Sequence, residues 1–100
     1  SPVCQQATSQ LDDAGVAAAL AALPNESIYD TTRVAQPDEV WNYQRGDGLE
    51  RALTLAVILK NRHPETPITL ASEGSSIRFA SAGHSSTWPT AKGLPINIRL

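Results

Sequence analysis

The feature that most constrains this chain is the run Ala52-Leu53-Thr54-Leu55-Ala56-Val57-Ile58-Leu59, apolar at every place but Thr54. A helix that is apolar on nearly every side must be covered by neighbours on several faces. In a chain of 100 residues that makes it the central element of one small domain spanning residues 1–100, with no room for two cores. Asp47 and Glu50, three residues apart ahead of the run, have the spacing of a capping box. The helix is expected to run from that cap to about Arg62. His63-Pro64 ends it, because the residue before a proline avoids the helical region.

The rest of the chain supplies the cover. A first helix is predicted from about Ser9, as cap, to Leu23, with Asp12 and Asp13 in its first turn. Leu11, Val16, Leu20 and Leu23 form its stripe, and Pro24-Asn25 stops it. Residues 1–8 are read as a flexible N-terminal segment. Residues 26–36 read as a loop with a short strand around Ile28-Tyr29 and Thr31-Thr32-Arg33-Val34, since they have β-propensity without alternation. Pro37 opens a short helix holding Val40, Trp41 and Tyr43, ended by Gly46. After Pro67 the period changes to two. Ile68-Thr69-Leu70 and Ser76 to Ala80 flank the turn Glu73-Gly74-Ser75 as a hairpin, and Leu94, Ile96, Ile98 and Leu100 alternate as a last strand. Ser81 to Lys92 is a polar stretch. The expected fold class is α+β, about three helices packed on a small antiparallel sheet of three to four strands.

Composition narrows the function. A net charge of −2 argues against nucleic acid, which needs a basic face. The only lysines are Lys60 and Lys92, and no apolar run reaches the length of a membrane span. There is no methionine, so the chain reads as a processed product or an excised domain. Few lysines with many Ser, Thr, Ala and Gln lean toward an exported bacterial protein, secreted or periplasmic. The single Cys4 cannot form an internal disulfide. Histidines and acids show no metal-ligand spacing, and Gly46 and Gly48 lack the lysine of a phosphate loop. No cofactor is expected.

The stretch Gly46-Asp47-Gly48-Leu49-Glu50-Arg51-Ala52, with His84, Trp88 and Asn97 following on strands, resembles the transglutaminase-like fold and its papain-like relatives. That family places a catalytic Cys after a Gly-Asp pair at the start of a buried helix, then a His and an Asp or Asn on successive antiparallel strands. The resemblance covers about residues 27–100 and rests on short motifs and element order. It implies that Gly48 holds the nucleophile position, with His84 thirty-six residues later and Asn97 thirteen beyond that. A helix N-terminus lowers a thiol pKa, a His accepts the proton and an Asn orients the His. With glycine at 48 the nucleophile is absent, so the resemblance implies an inactive version whose cleft is reused for binding.

Each of these residues also has a plainer explanation. Asp47 and Glu50 are accounted for by helix capping, His84 by a polar loop, Asn97 by the polar side of a strand, and His63 by the negative end of a helix dipole. Arg45-Gly46-Asp47 spells an adhesion tripeptide, but its Asp is required as a cap. Trp41, Tyr43 and Trp88, with Asp47, are candidate binding residues for a protein partner. The tryptophans equally fill a core holding one Phe. The expected function is a non-catalytic binding or assembly module that offers the helix–sheet cleft, or the edge strand Ile96 to Leu100, to a protein partner. The alternative is a hydrolase or acyl-transferase using His84 with another nucleophile.

Overall fold

A computed structural model of the chain describes residues 2–30 and 32–100. Ser1, and Thr31 in the stretch read as a short strand, lie outside the described residues. The elements are α1 (Pro2–Ala7), α2 (Asp13–Ala21), α3 (Pro37–Tyr43), α4 (Gly48–Arg62), β1 (Ile68–Glu73), β2 (Ser76–Ser81), β3 (His84–Pro89) and β4 (Asn97–Arg99). The strands form one antiparallel sheet in the order β3-β2-β1-β4. This is an α+β fold, with α4 against all three long strands.

The central helix forms as its sequence dictates. Asp47 caps it, with its carboxylate accepting from Leu49 N at 2.8 Å, and Glu50 completes the box by accepting from Asp47 N at 2.8 Å. Leu49, Ala52, Leu55, Ala56, Ile58 and Leu59 are buried. They meet the inward row of the sheet, where Ile68, Leu70, Ile77, Phe79 and Trp88 are at most 4% exposed. Each large side chain so buried is worth about 1.5–3 kcal/mol. The opposite sheet face is polar, with Thr69, Arg78, Ser85, Thr87, Asn97 and Arg99 all exposed. The β1–β2 hairpin closes through Gly74-Ser75, and Gly74 takes the left-handed conformation (φ 62) that the tight turn needs.

The N-terminal third differs from the sequence reading. The helix expected over Ser9–Leu23 is the shorter α2, Asp13–Ala21, and a separate helix, α1, precedes it. Asp12, not Ser9, caps α2, accepting from Gly15 N at 2.7 Å, and Leu11 is left 38% exposed. Residues 1–8, read as flexible, include α1, which is docked. Cys4 lies in the core, and its N–H donates to Asp38 Oδ1 at 3.0 Å. An acid read as belonging to the first turn of α3 therefore also caps α1. Hydrogen bonding from the Cys4 backbone holds the Asp38 carboxyl below its ordinary pKa. Arg62 at the end of α4 donates to Thr8 O at 2.7 Å and to Asp13 Oδ1 at 3.1 Å, tying α1 and α2 to the central helix.

Two further differences concern the second half. The polar stretch Ser81 to Lys92 contains a full strand, β3, joined to β2 by Ala82-Gly83. The last strand is shorter than its alternation suggested, Asn97–Arg99, although Leu100 and Ile68 also exchange main-chain hydrogen bonds. Among the described residues of 26–36 no strand forms. Glu39 accepts from the Tyr29 hydroxyl, which raises the phenol pKa. Hydrogen bonds from the Gln36 backbone and then from Tyr29 lower that of Glu39.

Candidate functional site

The start of α4, where sequence reading placed the chemistry, is a buried polar lock beside a cavity of about 230 Å³ lined by Asn25, Ser27, Tyr29, Asp47 and Lys92 among others. Asp47 is 4% exposed, and its carboxylate also accepts from Thr90 Oγ1 and from Ala91 N at 2.7 Å. Glu50 is fully buried. Besides Asp47 N, it accepts from Ala35 N at 2.6 Å and Ser27 Oγ at 2.8 Å, and lies 3.9 Å from Lys92 Nζ. Lys92 Nζ donates to the carbonyls of Tyr29 and Arg33. Arg51, 4% exposed, donates to Gly46 O, Leu20 O and Asn25 Oδ1, and its guanidinium stands 5.2 Å over the Trp88 ring. Burial lowers the Arg51 pKa and the Asp47 charge works against that. Among the described residues no buried side-chain polar atom lacks a partner. These charges hold the segments 25–29, 33–35 and 90–92 onto α4.

Gly48 has a packing reason to be glycine. A Cβ there would run into the Pro89 carbonyl oxygen, with the Pro89 and Trp88 carbonyl carbons at 2.6 Å and 2.9 Å. The backbone at the end of β3 occupies the volume a Cys side chain would need.

Gly48, His84 and Asn97 are not brought together. His84 begins β3 and lines a cavity with Leu59 and His63 at the far end of α4. Eleven residues of helix, about 16 Å of rise, separate Gly48 from Leu59. Asn97 lies on β4, with β2 and β1 between it and β3, and is exposed on the outer face. It cannot orient His84. Trp88, a candidate binding residue, is instead in the core at 4% exposed, with its indole N–H donating to Ser86 Oγ at 2.8 Å. Trp41 is half-buried against the core, and Tyr43, at the end of α3, is 62% exposed.

A second concave region lies between α2, the end of α4 and β3. One cavity, about 390 Å³, is lined by Asp13, Leu59, His63, Ile68 and His84 among others. The next, about 260 Å³, is lined by Ala17, Ala18 and Ala21 of α2 and by His84, Ser86, Thr87 and Trp88. His84 lines both, so the two cavities adjoin at the start of β3, and the smaller one forms a groove beside that strand. At one end His63 Nε2 lies 2.7 Å from Asp13 Oδ2. Burial raises the Asp13 pKa, but hydrogen bonds from His63 and Arg62 outweigh it and the net shift is downward. At the middle, His84 Nε2 lies 3.2 Å from Ser86 Oγ. Among the described residues no group of His, Cys, Asp and Glu is placed to hold a metal ion.

The β3 edge beside this groove is open. Thr90 N donates to Ser75 O at 2.9 Å, so the 75/90 pair is hydrogen-bonded. Alternation by two then turns the N–H and C=O of His84, Ser86 and Trp88 toward β2, and those of Ser85 and Thr87 away from the sheet. Pro89 falls on an outward place, where its missing N–H costs the ladder nothing. The other edge is β4, where Asn97 and Arg99 face outward by the same alternation.

Sequence reading missed Ser86, the alanines of α2 and Arg51. A Ser two places from a His on an unrecognised strand carries no local signal, and alanines in a helix read only as permissive packing.

No family model, curated protein or solved structure matches this chain. No helix of the described residues is long and apolar enough to cross a membrane.

Proposed function

We propose that this chain is a non-catalytic binding or assembly module that engages a protein partner along an edge of its sheet, in an exported or envelope-associated bacterial setting. The observation that carries the reading is the contrast between the two ends of α4. At its start the buried charged groups all have partners that hold loops, and the cavity of about 230 Å³ beside them is lined in part by those engaged groups. Along its flank an open strand edge runs beside a groove. Exposed edges accept partner strands through main-chain hydrogen bonds. The bacterial and exported setting rests on composition, with lysine only at 60 and 92. If the likeness to transglutaminase-like proteins reflects descent, this chain is a version whose position 48 has no room for a thiol, since Pro89 fills that space.

One observation favours a second reading, a hydrolase. Ser86 Oγ sits within reach of His84 Nε2, and both line the groove. In that reading Ser86 passes its proton to His84 as the oxygen attacks an acyl carbon, the leaving group departs with that proton, and water then hydrolyses the acyl-serine. No acid is bonded to the other ring nitrogen among the described residues, and the indole N–H of Trp88 already occupies the Ser86 oxygen.

Turnover of an activated ester such as p-nitrophenyl acetate separates the two. The binding reading predicts a rate no higher than free imidazole gives, unchanged in Ser86→Ala. A saturable rate that drops about a hundredfold or more in both Ser86→Ala and His84→Ala replaces the binding reading with the hydrolase.

A further inference from the structure

We infer that β3, rather than β4, is the docking edge, and that its occupant is an uncharged extended peptide segment added antiparallel as a fifth strand, its alternate apolar side chains seated against α2. This rests on the sheet-edge reading and assigns its site and the chemistry of its partner.

The two edges differ in what protects them. A charge on an edge strand is a common guard against pairing, and β4 is three residues long and carries Arg99. β3 is six residues long and holds no Asp, Glu, Lys or Arg. Its free main-chain groups, the N–H and C=O of Ser85 and Thr87, follow from the ladder alternation. Thr87 has its side chain on the outer face, yet it lines the cavity beneath α2, so the cavity reaches the strand's open edge.

The groove also states what fits. The wall opposite β3 is Ala17, Ala18 and Ala21, and Ala14 continues the line into the larger cavity. That wall carries only methyl side chains. Side chains of an added strand alternate between faces, so every second residue would enter the space under α2. Among the described residues, no formally charged one lines the 260 Å³ cavity. Valine- or leucine-sized groups suit it, and a charged group there would be desolvated without a counter-charge.

A second copy of the chain fits less well. Pairing β3 with β3 about a two-fold axis normal to the sheet keeps the helical faces on one side. Each copy would then bring its own α2 over the same junction. A bare extended segment carries no helix layer. Antiparallel addition continues the pattern of the sheet, and antiparallel pairs are slightly the more stable.

The test uses a blocked peptide in which threonine alternates with leucine, flanked by lysine, titrated into the full chain labelled for amide NMR. Shift changes are expected at Ser85, Thr87 and Ala18. With leucines under α2, the threonine amides face β3, so N-methylation of those amides should weaken binding about tenfold or more, while N-methylation of the leucine amides should not. Ala18→Arg, on the exposed side of α2, should abolish the shifts and leave the spectrum of the fold intact. Shifts confined to Asn97 and Arg99 would overturn the assignment to β3 and keep the sheet-edge reading. Concentration-dependent self-association through β3 would overturn the choice of occupant. Silence at both edges with peptide in large excess would remove both readings, and indifference to N-methylation would overturn strand addition.

Discussion

Glu50→Ala is expected to bring the domain close to unfolding. The carboxylate is fully buried and accepts from the main-chain N–H groups of Ala35 and Asp47 and from the Ser27 hydroxyl. Its removal leaves two buried backbone donors without acceptors and takes the counter-charge from Lys92, itself 8% exposed. Breaking a buried charge network of this kind costs about 3–5 kcal/mol, against a total stability of about 5–15 kcal/mol for a typical domain. The melting temperature should fall by at least about 12 °C. Glu50→Gln keeps the shape but turns an N–H₂ toward groups that need an acceptor, and should lose roughly half as much. Urea unfolding of the two variants checks this. A loss under about 1 kcal/mol for the alanine variant would mean that the lock is not what holds the loops.

Gly48→Cys should destabilise the fold rather than restore a reactive thiol. Helix propensity alone favours almost any residue over glycine by up to about 1 kcal/mol, so a loss would report the clash with the Pro89 carbonyl. Backbone on both sides of the contact leaves no flexible side chain to give way. Overpacking of this kind costs about 1–3 kcal/mol. Gly83→Ala is the control, since a Cβ there meets nothing within 4 Å, and it should stay within about 0.5 kcal/mol of the parent. Thermal unfolding of both variants decides the matter. A Gly48→Cys protein as stable as the parent, with a thiol that reacts faster than a free cysteine, would show that the helix start is an open site.

The parts of the fold that local chemistry specifies were legible. The apolar run 52–59 with Asp47 and Glu50 ahead of it defined α4 and its cap, and alternation around Gly74 gave the first hairpin. What escaped was set by distant contacts. Asp38 caps α1 from another helix, so residues 1–8 carry no local reason to be ordered. β3 reads as a polar loop because an edge strand with one solvent face needs few apolar residues, and its inward places are His84, Ser86 and Trp88. The misplaced site has the same origin. Spacing in sequence put His84 opposite Gly48, whereas the strand runs so that Trp88 and Pro89 meet the helix start and His84 meets its end. The groove follows from pairing register and the alanines of α2, neither of which has a motif.

Native-state amide hydrogen exchange tests the account most directly, because it reads the buried helix start and the open edge together. The N–H groups of Leu49, Ala35 and Ala91, bonded to the carboxylates of Asp47 and Glu50, should exchange only by large-scale opening. On β3 protection should alternate, with Ser86 and Trp88 slow and Ser85 and Thr87 fast. Uniformly slow exchange along β3, or fast exchange at Leu49, Ala35 and Ala91, would contradict it.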